Sequence, residues 1–313
     1  MNILVLSAGG PAAVGVIKSL RDMNFDGNII SIDYDELAVG FHLSDSYYIV
    51  PHAGNDELNF ILHVKKIIKD NNISLILPSG PEIVQISYRK KLFESMGVRV
   101  FMSDYESIQL CRDKFIFYKK CKNKFLLPKT SLYYSDRVIE WFTNCIDFPL
   151  FAKPRMELGG SKGAMICKNF YTLEEDCEYI YQEILPGQEY TIDVLCDMES
   201  NPLVVIPRKR LQIKAGISSK GEIIKNGFIE KACFDMCKFL KLKGPVCLQM
   251  KEDIDGTPKF IEVNPRFGGG TYFTTLAGVN FCKLIIDMVN GKELVIPEPK
   301  LIKILRYYEE VII

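Results

Sequence analysis

The chain has 313 residues, 48% of them apolar and 25% charged, so it is long enough for more than one domain and too apolar to be disordered. Its 39 basic and 39 acidic residues cancel, leaving no global field to recruit nucleic acid or an anionic membrane. No run approaches the roughly 18 apolar residues that cross a bilayer, and "MNILVLSAGG" lacks the basic start of a signal peptide, so a soluble cytoplasmic protein is expected.

From the N-terminus, "NILVLSA", "NIISID", "LILPS" and "VRVFM" read as strands. The stretches between them, "AAVGVIKSLRDM", "DELNFILHVKKIIKDN" and "EIVQISYRKKLFESMG", read as helices. Strands separated by helices of this length imply a parallel sheet with right-handed crossovers, a Rossmann-like domain over residues 1–104. The first turn, "SAGGPAAVG", carries Gly9, Gly10 and Gly15, but Pro11 and Ala13 break the dinucleotide-binding spacing. Asp33 stands where an acid would hold a ribose in a dinucleotide fold; a tight turn joining strand to helix is the simpler reading.

Beyond residue 104 the pattern becomes α+β with mostly antiparallel strands. "PLFAKPRMELGGSKGAMIC" reads as strand, glycine-rich loop, strand, and "VCLQMKEDIDGTPKFIEVN" as a hairpin turning at Asp255 and Gly256. "VNFCKLIIDMVNG" reads as a closing helix. The ten cysteines include no C-x-x-C pair; Cys233 and Cys237, four apart, read as core thiols, and His42, His52 and His63 form no triad.

In "KFIEVNPRFGGG", Glu262, Asn264 and Arg266 occupy alternate positions and so share one face of a strand, with Phe260 expected on that face and Ile261 and Val263 on the other. The hairpin brings Gln249 beside Glu262 and Asn264. Three oxygen donors without histidine or thiolate suit Mg²⁺, which keeps waters and shares positions with phosphates; the same groups could equally cap the hairpin. Lys114 in "CRDKF" and Lys153 ahead of Gly159, Gly160 and Gly163 could lay ammonium and backbone N–H groups on a polyphosphate, although a single lysine before a surface hairpin would be unremarkable. In "YQEILPGQEYTID", the strand end at Glu183 and Leu185 can offer backbone groups to a base while Glu189 accepts from ribose hydroxyls. Arg208 and Arg210 in "PRKRLQIKAG" could grip an anionic substrate or simply face solvent.

Taken in order, "DKF", "KPRMELGGSKG", "QEILPGQEYTID" and "QMKEDIDGTPKFIEVNPRFGGG" resemble the ATP-grasp superfamily along the whole chain. The pattern is most similar to its carbamoyl phosphate synthase-like branch, in which a glutamine precedes the Glu-x-Asn-x-Arg strand as Gln249 does here. The resemblance implies a Rossmann-like domain over 1–104 and an ATP-grasp domain over 105–313, with a small lid at about 115–186 and a larger subdomain at 187–313. It implies that Lys114 and Lys153 contact ATP phosphates under a loop of Gly159, Gly160, Ser161 and Gly163. Glu183 and Leu185 would border adenine, Glu189 would bind ribose, and Gln249, Glu262 and Asn264 would hold Mg²⁺, with Mn²⁺ an alternative. Arg266 and Lys153 would be catalytic, and Arg208, Arg210 and Arg266 would meet substrate.

The implied activity joins a small-molecule carboxylate to an amine through an acylphosphate, with ATP and Mg²⁺. Many members carry an acid where Gln249 stands, so less charge is available for a second metal. The sequence shows no second ATP-grasp unit and no ammonia-supplying domain, so carbamoyl phosphate synthesis by this chain alone is not expected. A non-catalytic ATP-binding protein and a dinucleotide-dependent oxidoreductase are the competing readings, and a homo-oligomer is left open.

Overall fold

Five short strands, β1 (Asn2–Val5), β2 (Ile29–Asp33), β3 (Ser46–Ile49), β4 (Ile73–Leu77) and β5 (Arg99–Val100), pair in parallel in the order β3-β2-β1-β4-β5. The computed structural model describes residues 1–132, 148–156, 163–169 and 178–313. Alternation along β1 sends Ile3 and Val5 into one core and Leu4 into another, so the sheet is covered on both faces, as parallel sheets are. Helix α1 (Pro11–Asp22) begins with proline at its first turn, and α2 (Glu57–Asp70) is capped by Asp56, which accepts the Asn59 N–H at 3.3 Å. The segment read as one helix from 82 to 97 is two, α3 (Ile83–Tyr88) and α4 (Lys90–Ser95), broken at Arg89. Strand β3 and a 3₁₀ turn at Val39–Leu43 had no clear signal in the sequence.

Helices α5 (Tyr105–Arg112) and α6 (Lys114–Cys121) lead out of this sheet. Next come β6 (Thr130–Leu132), β7 (Leu150–Pro154), β8 (Met165–Cys167) and β9 (Tyr179–Glu183), an antiparallel sheet ordered β6-β9-β7-β8. The β7–β8 pair is the expected hairpin; its Gly159, Gly160 and Ser161 lie outside the described residues.

The remaining strands, β10 (Glu189–Cys196), β11 (Pro202–Lys214), β12 (Ile217–Ile223), β13 (Gly244–Glu252), β14 (Pro258–Asn264) and β15 (Lys303–Leu305), form one antiparallel sheet ordered β14-β13-β10-β11-β12-β15. Helix α7 (Gly227–Phe239) packs on its apolar face, burying Ile192, Val194, Leu248 and the thiols of Cys233 and Cys237 in one cluster. On the other face, Leu195, Ile206 and Ile223 join the core of the first sheet through α1, α8 (Thr271–Leu276) and α9 (Phe281–Val289). No helix among the described residues is long and apolar enough to span a membrane.

One irregularity decides which face each side chain of β14 takes. Gln249 pairs with Glu262 and Met250 with Phe260, so Ile261 is an extra, unpaired residue, a β-bulge. The bulge breaks the alternation expected from the sequence. Phe260 does not share the face of Glu262; it is 1% exposed and packs in the apolar cluster beside Met250.

The small sheet is tied to α6 by Asp113, which caps that helix by accepting the Phe115 and Ile116 N–H groups at 3.0 Å each and receives Arg155 at 2.6 Å. Burial opposes the charge on Asp113, but the Arg155 guanidinium and the two N–H groups outweigh it and hold the carboxyl below the usual range. Asp113→Ala should therefore cost about 1–2 kcal/mol, read as a lower urea midpoint. Because the folded carboxyl titrates below its unfolded value of about 3.9, that difference should be full above this pH and should shrink as the pH falls through the depressed folded value.

Candidate active site

The three sheets converge on a cleft of about 540 Å³. Lys114 and Lys153, Glu183 and Leu185, Glu189 and Arg210, and Gln249, Glu262, Asn264 and Arg266 all line it. Residues separated by up to 152 positions in the chain, Lys114 and Arg266, thus share one cavity.

Lys153 lies on β7, in the middle of the small sheet, and its ammonium crosses to the large sheet to donate to the carbonyl of Ile261 at 3.0 Å. The bulge frees that carbonyl from the ladder. Burial lowers the Lys153 pKa to about 8; Lys114 adds to the depression, while the carboxylates of Glu262 and Glu189 oppose it. Lys114 is the first residue of α6, and its backbone N–H donates to the carbonyl of Arg155 at 3.0 Å, which fixes the helix start against the end of the small sheet.

The connection from β9 to β10 forms the far wall. Glu183 lines the cleft, but its carboxylate is occupied: it accepts the Lys129 N–H at 3.0 Å and pairs with Lys259 at 2.7 Å. Its backbone N–H is occupied as well, donating to the carbonyl of Lys129 at 3.1 Å, and Leu185 lines the cleft two residues on. Gly187 is needed where the chain crosses the hairpin, because a Cβ there would lie 2.5 Å from the Cβ of Glu252. Glu189 is paired with Arg210, whose guanidinium also donates to Ser218 Oγ at 3.1 Å and to the carbonyl of Gly216 at 2.6 Å. Arg210 thus reaches the cleft wall with its guanidinium already engaged by Glu189, Ser218 and Gly216.

Glu262 and Gln249 face each other across the β13–β14 ladder, and Asn264 stands opposite Cys247. This donor set, one carboxylate and two amides, fits a hard cation that takes its other ligands from water and phosphate. Among the described residues no group of three or more His, Cys, Asp and Glu side chains is placed to hold a metal. Arg266 is half-buried, donating to Asn264 Oδ1 at 3.3 Å and to the carbonyl of Phe267 at 3.2 Å. The Phe267 N–H reaches Pro78 O at 2.9 Å, pinning this loop to the first sheet.

Arg208 departs from the expected role. It is 0% exposed and absent from the cleft wall, with Nη2 3.3 Å from Asp193 Oδ2 and Phe273 across its guanidinium at 5.1 Å. Arg208 and Arg210 point to the same side of β11, but α8 and the loop before it cover only the former. Asp33 likewise serves the turn: its carboxylate accepts the Gly9 N–H at 2.7 Å and the Asp35 N–H at 3.0 Å.

The sequence reading missed the contribution of the first sheet. Ser7, Gly10, Ser79 and Gly80 line the cleft at the carboxyl ends of β1 and β4, where strand order reverses direction and open α/β sheets characteristically bind ligands. Ser7 adopts φ +54°, and a Cβ on Gly80 would fall 1.5 Å from its Oγ. The motif "SAGG" marked a turn, but the sheet order that makes it a cavity wall is a property of the assembled fold.

Two family models match the chain: "PylC-like, N-terminal domain" over residues 3–101 and "ATP-grasp in the biosynthetic pathway with Ter operon" over residues 175–310. The carbamoyl phosphate synthase large chain of Thermoanaerobacter sp. is 25% identical over 308 residues, covering 90% of this chain and 27% of that protein. The D-alanine–D-alanine ligase of Petrotoga mobilis is 33% identical over 130 residues, covering 38% of this chain and 42% of that one. The chain thus spans well under half the length of these curated relatives. Among solved structures, a biotin carboxylase complex with β,γ-ATP from Campylobacter jejuni superposes with a TM-score of 0.73 at 15% identity, covering 96% of this chain and 73% of the other. The fold and these matches agree in their parts: residues 175–310 match an ATP-grasp domain, residues 3–101 match a PylC-like N-terminal domain, and the chain as a whole is similar to carbamoyl phosphate synthase large chains.

Proposed function

We propose that this protein is an ATP- and Mg²⁺-dependent ligase that joins a small-molecule carboxylate to an amine, releasing ADP and phosphate. The observation that carries the reading is the meeting of Lys114, Lys153, Glu262, Asn264 and Arg266 in one cleft from separate sheets. Phosphoryl transfer asks a protein for in-line positioning and charge neutralisation, which such a set can supply without a nucleophilic side chain. Adenine would lie along the backbone of Glu183 and against Leu185, and ribose against Glu189.

Lys114 and Lys153 would neutralise the polyphosphate, Lys153 leaving the Ile261 carbonyl for phosphate oxygen. Gln249, Glu262 and Asn264 would hold Mg²⁺, which when bound neutralises phosphate charge; the glycine-rich loop at Gly159, Gly160, Ser161 and Gly163 would close over the nucleotide. The carboxylate substrate would attack the γ-phosphorus to give an acylphosphate, with Arg266 facing the charge that develops. The amine would then displace phosphate. The wall of Ser7, Gly10, Ser79 and Gly80 is the region left for these substrates once the nucleotide is in place.

The activity is tested by screening carboxylate and amine pairs for ADP release. ATP with Mg²⁺ should raise the Tm, and Lys153→Ala should diminish that rise; equal stabilisation of both proteins would remove Lys153 from the site. Affinity should also depend on pH in a defined direction. The Lys153 ammonium is lost as the pH rises through about 8, so ATP binding measured by calorimetry should weaken above that value. Lys153→Arg stays charged and should bind ATP with a flatter profile.

Glu262→Gln keeps the shape of its side chain and removes the one carboxylate of the donor set, so half-maximal activity should need more Mg²⁺ and excess metal should restore part of the rate. Arg266→Ala should lower turnover by about 10²–10³-fold with a smaller effect on ATP affinity and no rescue by metal. ADP release titrated against Mg²⁺ separates the two variants, and wild-type turnover in both would refute their assignment.

A further inference from the structure

We propose that a second groove, on the reverse side of the β13–β14 pair, binds a small amphipathic anion with an aromatic or short acyl body. The groove holds about 460 Å³, inside the roughly 300–1,000 Å³ range of small-molecule sites. Its floor is Met250 and Phe260, each 1% exposed, and its sides are Phe125, Leu126, Phe228 and Pro258. Leu126 and Phe228 stand at its mouth, 46% and 53% exposed.

The space exists because the first turns of α7 place Gly227 and Ala232 there, where bulkier residues would fill it. A Cβ added to Gly227 would meet nothing within 4 Å. Lys124, Lys231 and Asp235 also line the groove. Asp235 is committed to Lys231, its carboxylate 2.6 Å from the ammonium, which leaves Lys124 as the lining cation that Asp235 does not neutralise. There Lys124 and Lys120 sit over the same Phe239 ring at 4.5 and 5.7 Å, and among the described residues neither enters an ion pair. Phe239 in turn lies 5.5 Å from Phe125, and Phe125 meets Phe260 edge-on at 6.0 Å, so the cations border the apolar lining continuously. An apolar pocket with Lys124 on its rim and Lys120 just beyond it, neither in an ion pair among the described residues, selects an apolar body with an anionic head.

The groove is distinct from the nucleotide cleft, since its floor is the opposite face of the strands that carry Gln249 and Glu262. It is nevertheless close to that cleft in the backbone: Leu126 O accepts the Phe260 N–H at 2.8 Å, one residue before the Ile261 carbonyl that receives Lys153.

Anilinonaphthalene sulfonate, an aromatic anion that fluoresces in apolar surroundings, is the probe, with its uncharged relative phenylnaphthylamine as control. Both should bind the wild-type protein in the presence of saturating ATP and Mg²⁺. Gly227→Leu fills the groove at an open first-turn position, so it should weaken both probes about ten-fold or more, a change of about 1.4 kcal/mol or greater, with its Tm unchanged. Phe228→Glu, at an exposed site, should weaken the sulfonate in the same way. Lys124→Glu should weaken the sulfonate and spare the neutral probe. Sulfonate binding that is unchanged in Gly227→Leu and Phe228→Glu would overturn the site, and equal response of the two probes to Lys124→Glu would overturn its preference for an anion.

Discussion

The β-bulge at Ile261 is the constraint on which the rest of the site depends. A regular ladder would have left Phe260 and Glu262 on one face, forcing either an aromatic ring into the polar cleft or a carboxylate into the core. With one residue unpaired, Phe260 turns to Met250 and Glu262 turns to Gln249. The carbonyl released in the process becomes the acceptor for Lys153, whose strand belongs to a different sheet. A single local distortion thus sorts the side chains of one strand and ties the small sheet to the large one.

Charge in the cleft is arranged by prior commitment. Arg210 is spent on Glu189, and Lys259 on Glu183 and Asp253, so none of these acids makes a direct ion pair with Lys114 or Lys153 among the described residues. Among the described residues Lys153 has only a carbonyl as a direct partner, and its lowered pKa reflects a desolvated ammonium next to another lysine. Such a cation would gain more from any arriving anion than a solvated one would, because its own hydration has already been given up.

The sequence carried those parts of the structure that depend on short-range pattern. Alternating strands and helices announced the parallel sheet, and the spacing of Glu262, Asn264 and Arg266 placed them on one polar face. What was not legible depends on pairing across long separations. Alternation alone puts Phe260 with Glu262; only the register against Met250 shows otherwise. Arg208 and Arg210 are equivalent on paper, two apart on one strand, and their different fates are set by where α8 lands. The same holds for Ser7 and Gly80, which meet because β1 and β4 are neighbours at the point where the sheet order reverses.

The run of glycines after Arg266 follows from this crowding. A Cβ at Gly268 would lie 2.5 Å from Cys247 Sγ, and one at Gly270 would lie 2.3 Å from Arg208 Nη1. Gly269 passes 3.3 Å from Pro11 of the first sheet's helix by the same measure. Beneath the loop, Asp193 accepts Thr274 Oγ1 at 2.7 Å and Thr271 Oγ1 at 3.2 Å while pairing with Arg208, a buried ion pair whose desolvation is expensive. Replacing that pair with apolar residues would relieve the desolvation, but it would also remove the hydroxyl bonds that fix where α8 begins. The Gly268 N–H donates to the same Thr271 Oγ1 at 2.9 Å, so the position of the loop carrying Arg266 is set by the network below it. Buried charge here yields geometry: it helps place a half-exposed guanidinium by holding the backbone that follows it.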